Sequence, residues 1–372
     1  MKELLSWYIE VVLFRVFTIL TFLKWETRKL SARYLELSQS ELESRADQAY
    51  EIYRECQVCP HACKVDRTQG QTGYCGQTDL LSVSSSVRHF GEEPPLVGTG
   101  GVGNLFVTAC NMRCDYCQNF QISQLWKKQA LPTAVELERT YQSTAEQMVR
   151  LQKEGVHFIG WVSPSHVVPG LLKSLVLARD MGLRIPIIYN TNGYDALPTL
   201  KLLDGVVDIY LPDLKYAHSA TAKKISHIQE YAEFSREAVL EMYRQVGPLV
   251  LGEDGLALHG LLVRHLLLPE GLAGTWETLC FIALEMSPSV SLSLMSQYRP
   301  VHKARFPLNR EITIEEYESA IAMTRELGIE NLYLQSMATE VHNLPDFDNM
   351  ENPFPLDCPQ NQENAGQAVW QL

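Results

Sequence analysis

The chain has 372 residues, 46% of them apolar and 20% charged, with a formal net charge of −12. That length holds one large domain or two small ones with ample core, and the composition is that of an ordinary globular protein. The acidic balance excludes a nucleic-acid binder held by phosphate neutralisation, which needs a basic excess or stripe.

Residues 1–50 read as an apolar helix followed by a polar, helix-prone connector. Val11–Leu23 is apolar apart from Arg15, Thr18 and Thr21, and is shorter than the roughly 20 residues of a membrane-spanning helix. Glu3 precedes it and no small-residue cleavage site follows Trp25, which argues against a signal peptide. Two readings stand: a helix packed on protein, or a membrane-surface anchor within residues 1–25, with Lys24, Arg28, Lys29 and Arg33 near lipid headgroups.

Residues 51–103 form a Cys- and Gly-rich segment. Seven of the nine cysteines lie between Cys56 and Cys117, leaving Cys280 and Cys358 outside. In a chain this long, C-x2-C spacings point to metal ligation rather than disulfides, hence to a reducing compartment such as the cytoplasm. Cys56, Cys59, Cys63 and Cys75 supply four thiolates, enough for a closed zinc site or a second iron–sulfur cluster. Gly98-Thr-Gly-Gly-Val-Gly103 matches the dinucleotide-binding pattern G-x-G-x-x-G. That pattern must follow a strand and open a helix; here it precedes a strand, so it reads as a flexible lead-in.

From residue 104 to 340 the pattern is strand, loop and helix, repeated. Strands are expected at Leu105–Ala109, His157–Val162, Ile185–Tyr189, Val207–Leu211, Leu261–Leu267 and Val290–Leu294, with a short last one at Asn331–Leu334. Helices lie between them, two opening with capping boxes at Thr133/Glu136 and Thr313/Glu316. Alternation of this kind gives parallel strands joined by right-handed crossovers. The fold class is α/β: a partial (β/α)6 TIM-like barrel, with a doubly wound open sheet as the alternative. Residues 341–372, rich in Pro and Asn, read as a tail.

The loop after the first strand carries Cys110, Cys114 and Cys117 in C-x3-C-x2-C spacing. Three thiolates hold three corners of an iron–sulfur cube that normally takes four, so one iron stays open. In a β/α barrel the functional groups come from C-terminal strand ends. Those ends carry Ser163-Pro-Ser-His166, Asn190-Thr-Asn-Gly-Tyr194, Pro212-Asp-Leu-Lys215, Arg264-His265 and Ser296-Gln-Tyr-Arg-Pro300. Polar groups at successive strand ends, in strands that are otherwise apolar, point to one site.

With these residues laid out, the chain resembles the radical S-adenosylmethionine (radical SAM) proteins related to pyruvate formate-lyase activating enzyme. The likeness runs from about Cys56 to about Ala304 and is closest to the branch of unassigned substrate. Its marks are Cys56-Gln-Val-Cys59-Pro-His-Ala-Cys63 with Gly73-Tyr-Cys75-Gly, Tyr116 before Cys117, and Tyr210-Leu-Pro-Asp-Leu-Lys-Tyr216. Cys117-Gln-Asn119, Val162-Ser-Pro-Ser-His166, Tyr189-Asn-Thr-Asn-Gly-Tyr194, Val263-Arg-His-Leu-Leu-Leu-Pro269 and Gln297-Tyr-Arg-Pro300 complete the set. The resemblance implies a 4Fe-4S cluster on Cys110, Cys114 and Cys117, and S-adenosylmethionine as co-substrate. Tyr116, Ser163, His166, Asn190, Asn192, Asp213, Lys215 and Arg264 are the expected cofactor contacts, with Lys215 or Arg264 pairing the methionyl carboxylate. The implied partners are a flavodoxin- or ferredoxin-like electron donor and a protein substrate that yields hydrogen from a glycine. Where activating enzymes place Gly-Gly-Glu after the second strand, this chain has Ser163-Pro-Ser-His166, and Asn190 stands where they tend to place an acid. The alternatives are a radical SAM transformation of a small molecule and a zinc-bound interaction module without turnover.

Overall fold

The computed structural model describes residues 32–126, 133–337, 344–354 and 370–371; the expectations for residues 1–31 lie outside these. Strands β1 (Val83–His89), β2 (Val102–Val107), β3 (Phe158–Val162), β4 (Ile187–Thr191), β5 (Ile209–Pro212), β6 (Val250–Leu251), β7 (Ala257–Leu266), β8 (Ser291–Met295), β9 (Leu332–Gln335) and β10 (Trp370–Gln371) form one ten-stranded sheet. From β2 to β9, β6 excepted, neighbours follow chain order and pair in parallel. At the two edges β1 and β10 are antiparallel, and β6 pairs with β7.

This order settles the architecture. A doubly wound sheet reverses its strand order at a switch point. Here the order never reverses, so right-handed crossovers all run the same way and place their helices on one face. The two edge strands do not pair with each other, so the barrel is partial.

Alternation along each strand sorts the core. Leu105, Val107, Ile159, Trp161, Tyr189, Tyr210 and Val263 pack outward against Met148, Leu172 and Met242 of the helices. Their neighbours Phe158, Ile188, Ile209, Leu211 and Leu262 fill the inside. Both expected capping boxes form. Thr133 accepts from Glu136 N at 3.2 Å and donates its own N–H to Glu136 Oε2 at 2.8 Å, opening helix Ala134–Lys153. Thr313 and Glu316 repeat this at helix Ile314–Glu326.

The expected flexible lead-in differs. Val102 and Gly103 already belong to β2, and a Cβ at Gly103 would lie 3.1 Å from Leu151 Cβ. That glycine serves helix–strand packing. The stretch expected as a tail is docked where it is described. Phe347 and Phe354 pack on Phe106, Val162 and Ile122, and Ser85 donates to Met350 O at 2.6 Å. Among the described residues no helix is long and apolar enough to cross a membrane.

Candidate functional site

The three cysteines of the C-x3-C-x2-C loop face one cavity of about 220 Å³ at the C-terminal ends of the parallel strands. The loop leaves β2 through Ala109, whose φ of 67° is unusual for a residue with a side chain. Ala109 N donates to Ile122 O at 2.9 Å, and Gln124 Nε2 donates to Cys114 O at 2.9 Å. The sulfurs are placed to accept: Met112 N lies 3.3 Å and Asn192 Nδ2 3.4 Å from Cys110 Sγ, and Ser123 Oγ lies 3.2 Å from Cys117 Sγ.

Opposite the thiols stand the strand-end residues. Asn192 also donates to Asn111 Oδ1 at 2.8 Å and accepts from Tyr194 N at 3.0 Å, which locks its amide. Next to it Gly193 has φ 79°, and a Cβ there would meet Asp213 O at 2.5 Å. Only glycine lets the ends of β4 and β5 approach so closely. Tyr231 spans the same junction, its hydroxyl 2.7 Å from Asn192 O and accepting from Lys215 N at 3.0 Å. Lys215 and Asp213 form an ion pair, mostly buried, that lines the cavity.

Tyr116, Ser163, Asn190, Asn192, Asp213, Lys215 and Arg264 all line the cavity. Tyr116 shares its hydroxyl with Tyr216 at 2.7 Å, so it presents its ring. Arg264 is already engaged: its guanidinium pairs with both Glu92 and Glu93. His166 does not line the cavity; it is fully buried, with Nε2 2.9 Å from Thr108 O. Gln297, from a strand end expected to contribute, lines it too, and Glu92, His89 and Phe354 do so without having been anticipated. No spacing rule marks Glu92-Glu93, although adjacent acids before Pro94-Pro95 are a usable hint.

Burial pushes the Cys110 thiol up to about 12 and that of Cys117 up to about 11, each also raised by its fellow thiols. Lys215 works the other way on both. As three bare thiols they stay neutral; a bound cation would turn them into thiolates. Among the described residues no three His, Cys, Asp or Glu side chains converge on a point suited to a single metal ion. A cube is a different demand, since its thiolates sit on separate irons, and this donor set fits it: three free, soft, cavity-facing sulfurs.

The upstream cysteines are free as well, Cys56 and Cys59 buried, Cys63 and Cys75 half-buried. A Cβ on Gly73 would lie 2.6 Å from Cys63 Sγ, and Tyr74 N donates to that sulfur at 3.3 Å. Arg67 lies beside Cys56 and Cys75, fully buried and stacked 4.0 Å over the Tyr53 ring. It donates to Thr78 O at 2.9 Å and His166 O at 2.7 Å, and among the described residues it pairs with no carboxylate. His61, between Cys59 and Cys63, reaches the C-x3-C-x2-C loop: its Nε2 is 2.8 Å from Asn111 O, and its ring stacks 3.9 Å from that of Tyr74.

No protein-family model matches the chain. It is 28% identical over 296 residues to an uncharacterized protein of Methanocaldococcus jannaschii, covering 78% of this chain and 80% of that one. A second uncharacterized protein of that organism is 27% identical over 173 residues, 43% of this chain and 49% of that one. Among solved structures the chain is similar to HydG, a maturase of the FeFe-hydrogenase, at TM-score 0.42 and 12% identity, covering 81% of this chain and 64% of that one. The chain thus spans less than two thirds of HydG. It is also similar to TYW1 with a lysine-pyruvate adduct bound (TM-score 0.37, 11% identity, 64% of this chain and 76% of that one). A third is the methylornithine synthase PylB (TM-score 0.36, 12% identity, 83% and 85%).

Proposed function

We propose that this chain is a radical SAM enzyme. The observation that carries the proposal is the placement of Cys110, Cys114 and Cys117 together on one cavity wall, at the C-terminal end of a partial barrel and facing polar strand ends. In this reading the three cysteines hold a 4Fe-4S cluster with one open iron. When bound, that cluster supplies the electron that splits S-adenosylmethionine and yields a 5′-deoxyadenosyl radical.

The chain's own residues bind, orient and exclude. Lys215 and Asp213 offer one cation and one anion to the zwitterionic methionyl end. Asn190 and Ser163 carry donors and acceptors suited to ribose hydroxyls. Asn192, locked by Asn111 and Tyr194, donates toward Cys110 and steadies that corner. Phe106, Val162 and Phe354 supply apolar wall, which keeps water from a reactive carbon centre. Arg264 holds Glu92 and Glu93 in place as a positioning residue.

Within this class the likeness to activating enzymes favours a partner protein as the source of hydrogen, with a small molecule as the alternative. Cys56, Cys59, Cys63 and Cys75 are, in the same reading, the donors of a second iron–sulfur cluster, whose thiolates sit on separate irons rather than converging on one ion. Arg67 supports it, because a buried cation without a carboxylate is costly and metal-bound thiolates supply the missing negative charge.

The test is anaerobic reconstitution with iron and sulfide, then strong reductant and S-adenosylmethionine, with 5′-deoxyadenosine as the readout. Release is expected from wild type and not from C114A, whose circular dichroism should be unchanged. Iron-loaded wild type that releases none would sink the proposal.

A further inference from the structure

The upstream Cys-rich segment grips the cysteine loop at two points, through His61 and Tyr74, neither of which lines the cavity. His61 Nε2 lies 2.8 Å from Asn111 O. A carbonyl only accepts, so this nitrogen carries the proton and donates it. Two residues further along the loop, Arg113 donates to Tyr74 O at 2.6 Å and sets its guanidinium 4.4 Å from the centre of the Tyr74 ring. That ring also stacks 3.9 Å from the imidazole of His61, and Tyr74 N donates to Cys63 Sγ at 3.3 Å. The grip therefore joins the turn that holds Cys63 to the loop that holds Cys110, Cys114 and Cys117.

Asn111 passes this contact on to sulfur. It is wholly buried; His61 holds its carbonyl, and its own Nδ2 donates to Tyr194 O at 2.6 Å. With backbone and side chain both pinned, Asn111 Oδ1 stands where Asn192 Nδ2 donates to it at 2.8 Å. An amide nitrogen has two hydrogens in one rigid plane. Once the first is committed to Asn111 Oδ1, the direction of the second is fixed, and it falls on Cys110 Sγ, 3.4 Å away. The donor reaching Cys110 is thus aimed by Asn111, and Asn111 is held by His61.

We propose that His61 is a positioning residue for Cys110: by holding Asn111 it fixes the N–H that Asn192 donates to the Cys110 sulfur. The consequence of that role rests on the cluster reading. Hydrogen bonds to the sulfurs of an iron–sulfur cluster help set its reduction potential, because they stabilise the more negative, reduced form and so raise the potential. His61 therefore governs how readily the open-iron cluster accepts its electron, and does so from outside the cavity.

The experiment compares two variants of the full chain. H61Q keeps a donor at the reach of Nε2 and loses the ring; H61F keeps a ring on Tyr74 and loses the donor. In cluster-free protein, hydrogen exchange read by mass spectrometry should show the amides from Cys110 to Cys117 exchanging about tenfold faster in H61F, as one lost hydrogen bond allows. H61Q should exchange near the wild-type rate, and strands β3 to β5 should be unchanged in both variants. In reconstituted protein, a potentiometric titration follows the electron resonance signal that S-adenosylmethionine alters, since only a cluster with an open iron answers that ligand. Its midpoint should fall in H61F and stay with wild type in H61Q. Wild-type exchange in H61F overturns the proposal, and so does an equal loss in H61Q, because the donor is then not what holds the loop. A midpoint unmoved in H61F despite faster exchange overturns the link to Cys110. Wild type without a signal that answers S-adenosylmethionine counts against the cluster reading alone, and exchange still decides the role of His61.

Discussion

Replacing Arg264 with methionine should cost more stability than an outward-facing cofactor contact could explain, and removing its two acids as well should restore most of the loss. Arg264 points into the barrel from β7. Its Nε donates to Glu93 Oε1 at 2.8 Å, its Nη2 bonds Glu92 and Glu93, and Asn104 of β2 donates to Glu92 at 2.7 Å. Glu93 is wholly buried. Burial alone would raise the Glu92 carboxyl; the guanidinium overrides it and holds that carboxyl well below the usual carboxylate range. Methionine keeps the apolar stem and deletes the cation, leaving two carboxylates together in a low-dielectric interior. Losing one partner of such a set costs about 3–5 kcal/mol. In R264M/E92Q/E93Q the stranded charges are gone, so stability is expected within about 2 kcal/mol of wild type. Urea denaturation of the three proteins, followed by both fluorescence and circular dichroism, gives the free energies. A loss under about 1 kcal/mol in R264M, or a triple variant no more stable than the single one, refutes the reasoning.

G193A should impair S-adenosylmethionine binding by about tenfold or more, because the new Cβ combines a left-handed φ penalty of about 1–2 kcal/mol with a clash on Asp213 O. G182A is the control, since its φ of 96° is also positive but nothing lies within 4 Å of a Cβ there; calorimetric affinities that fail to separate the two variants would falsify the role given to Gly193. His265 donates from Nδ1 to Leu214 O at 2.7 Å and accepts at Nε2 from Thr275 at 3.0 Å, and burial lowers it to about 4. The unfolded chain takes up that proton near pH 6.5 and the folded one only near 4, so its contribution is full above 6.5 and declines as pH falls toward 4. The decline is about 3 kcal/mol, and H265Q should flatten that part of the stability–pH curve. An unaltered slope in H265Q places the titration elsewhere.

Much of the fold was legible because periodicity and capping act locally. The strands from β2 to β9 lie within a few residues of their expected places, β6 excepted, and Thr133 and Thr313 begin their helices as the capping pattern requires. β1 was not legible: Val83-Ser-Ser-Ser-Val-Arg-His89 is an edge strand with one buried residue, so it lacks the alternation that burial imposes. The cysteine loop was legible from spacing alone. Its companions were less so: Arg264 lines the cavity but is already paired with Glu92 and Glu93, and His166 looks like a site residue until its burial is known. Glu92, Glu93 and Arg67 owe their placement to contacts far apart in sequence, which no local pattern encodes. The same is true of Phe347 and Phe354.

Phe354, with Phe347 packed on it, walls a chamber whose cysteines were made some 240 residues earlier. A ribosome therefore completes every parallel strand through β9 before it delivers this wall. During synthesis the nascent protein passes through a stage in which the sulfur-lined hollow is already framed and its last aromatic side does not yet exist.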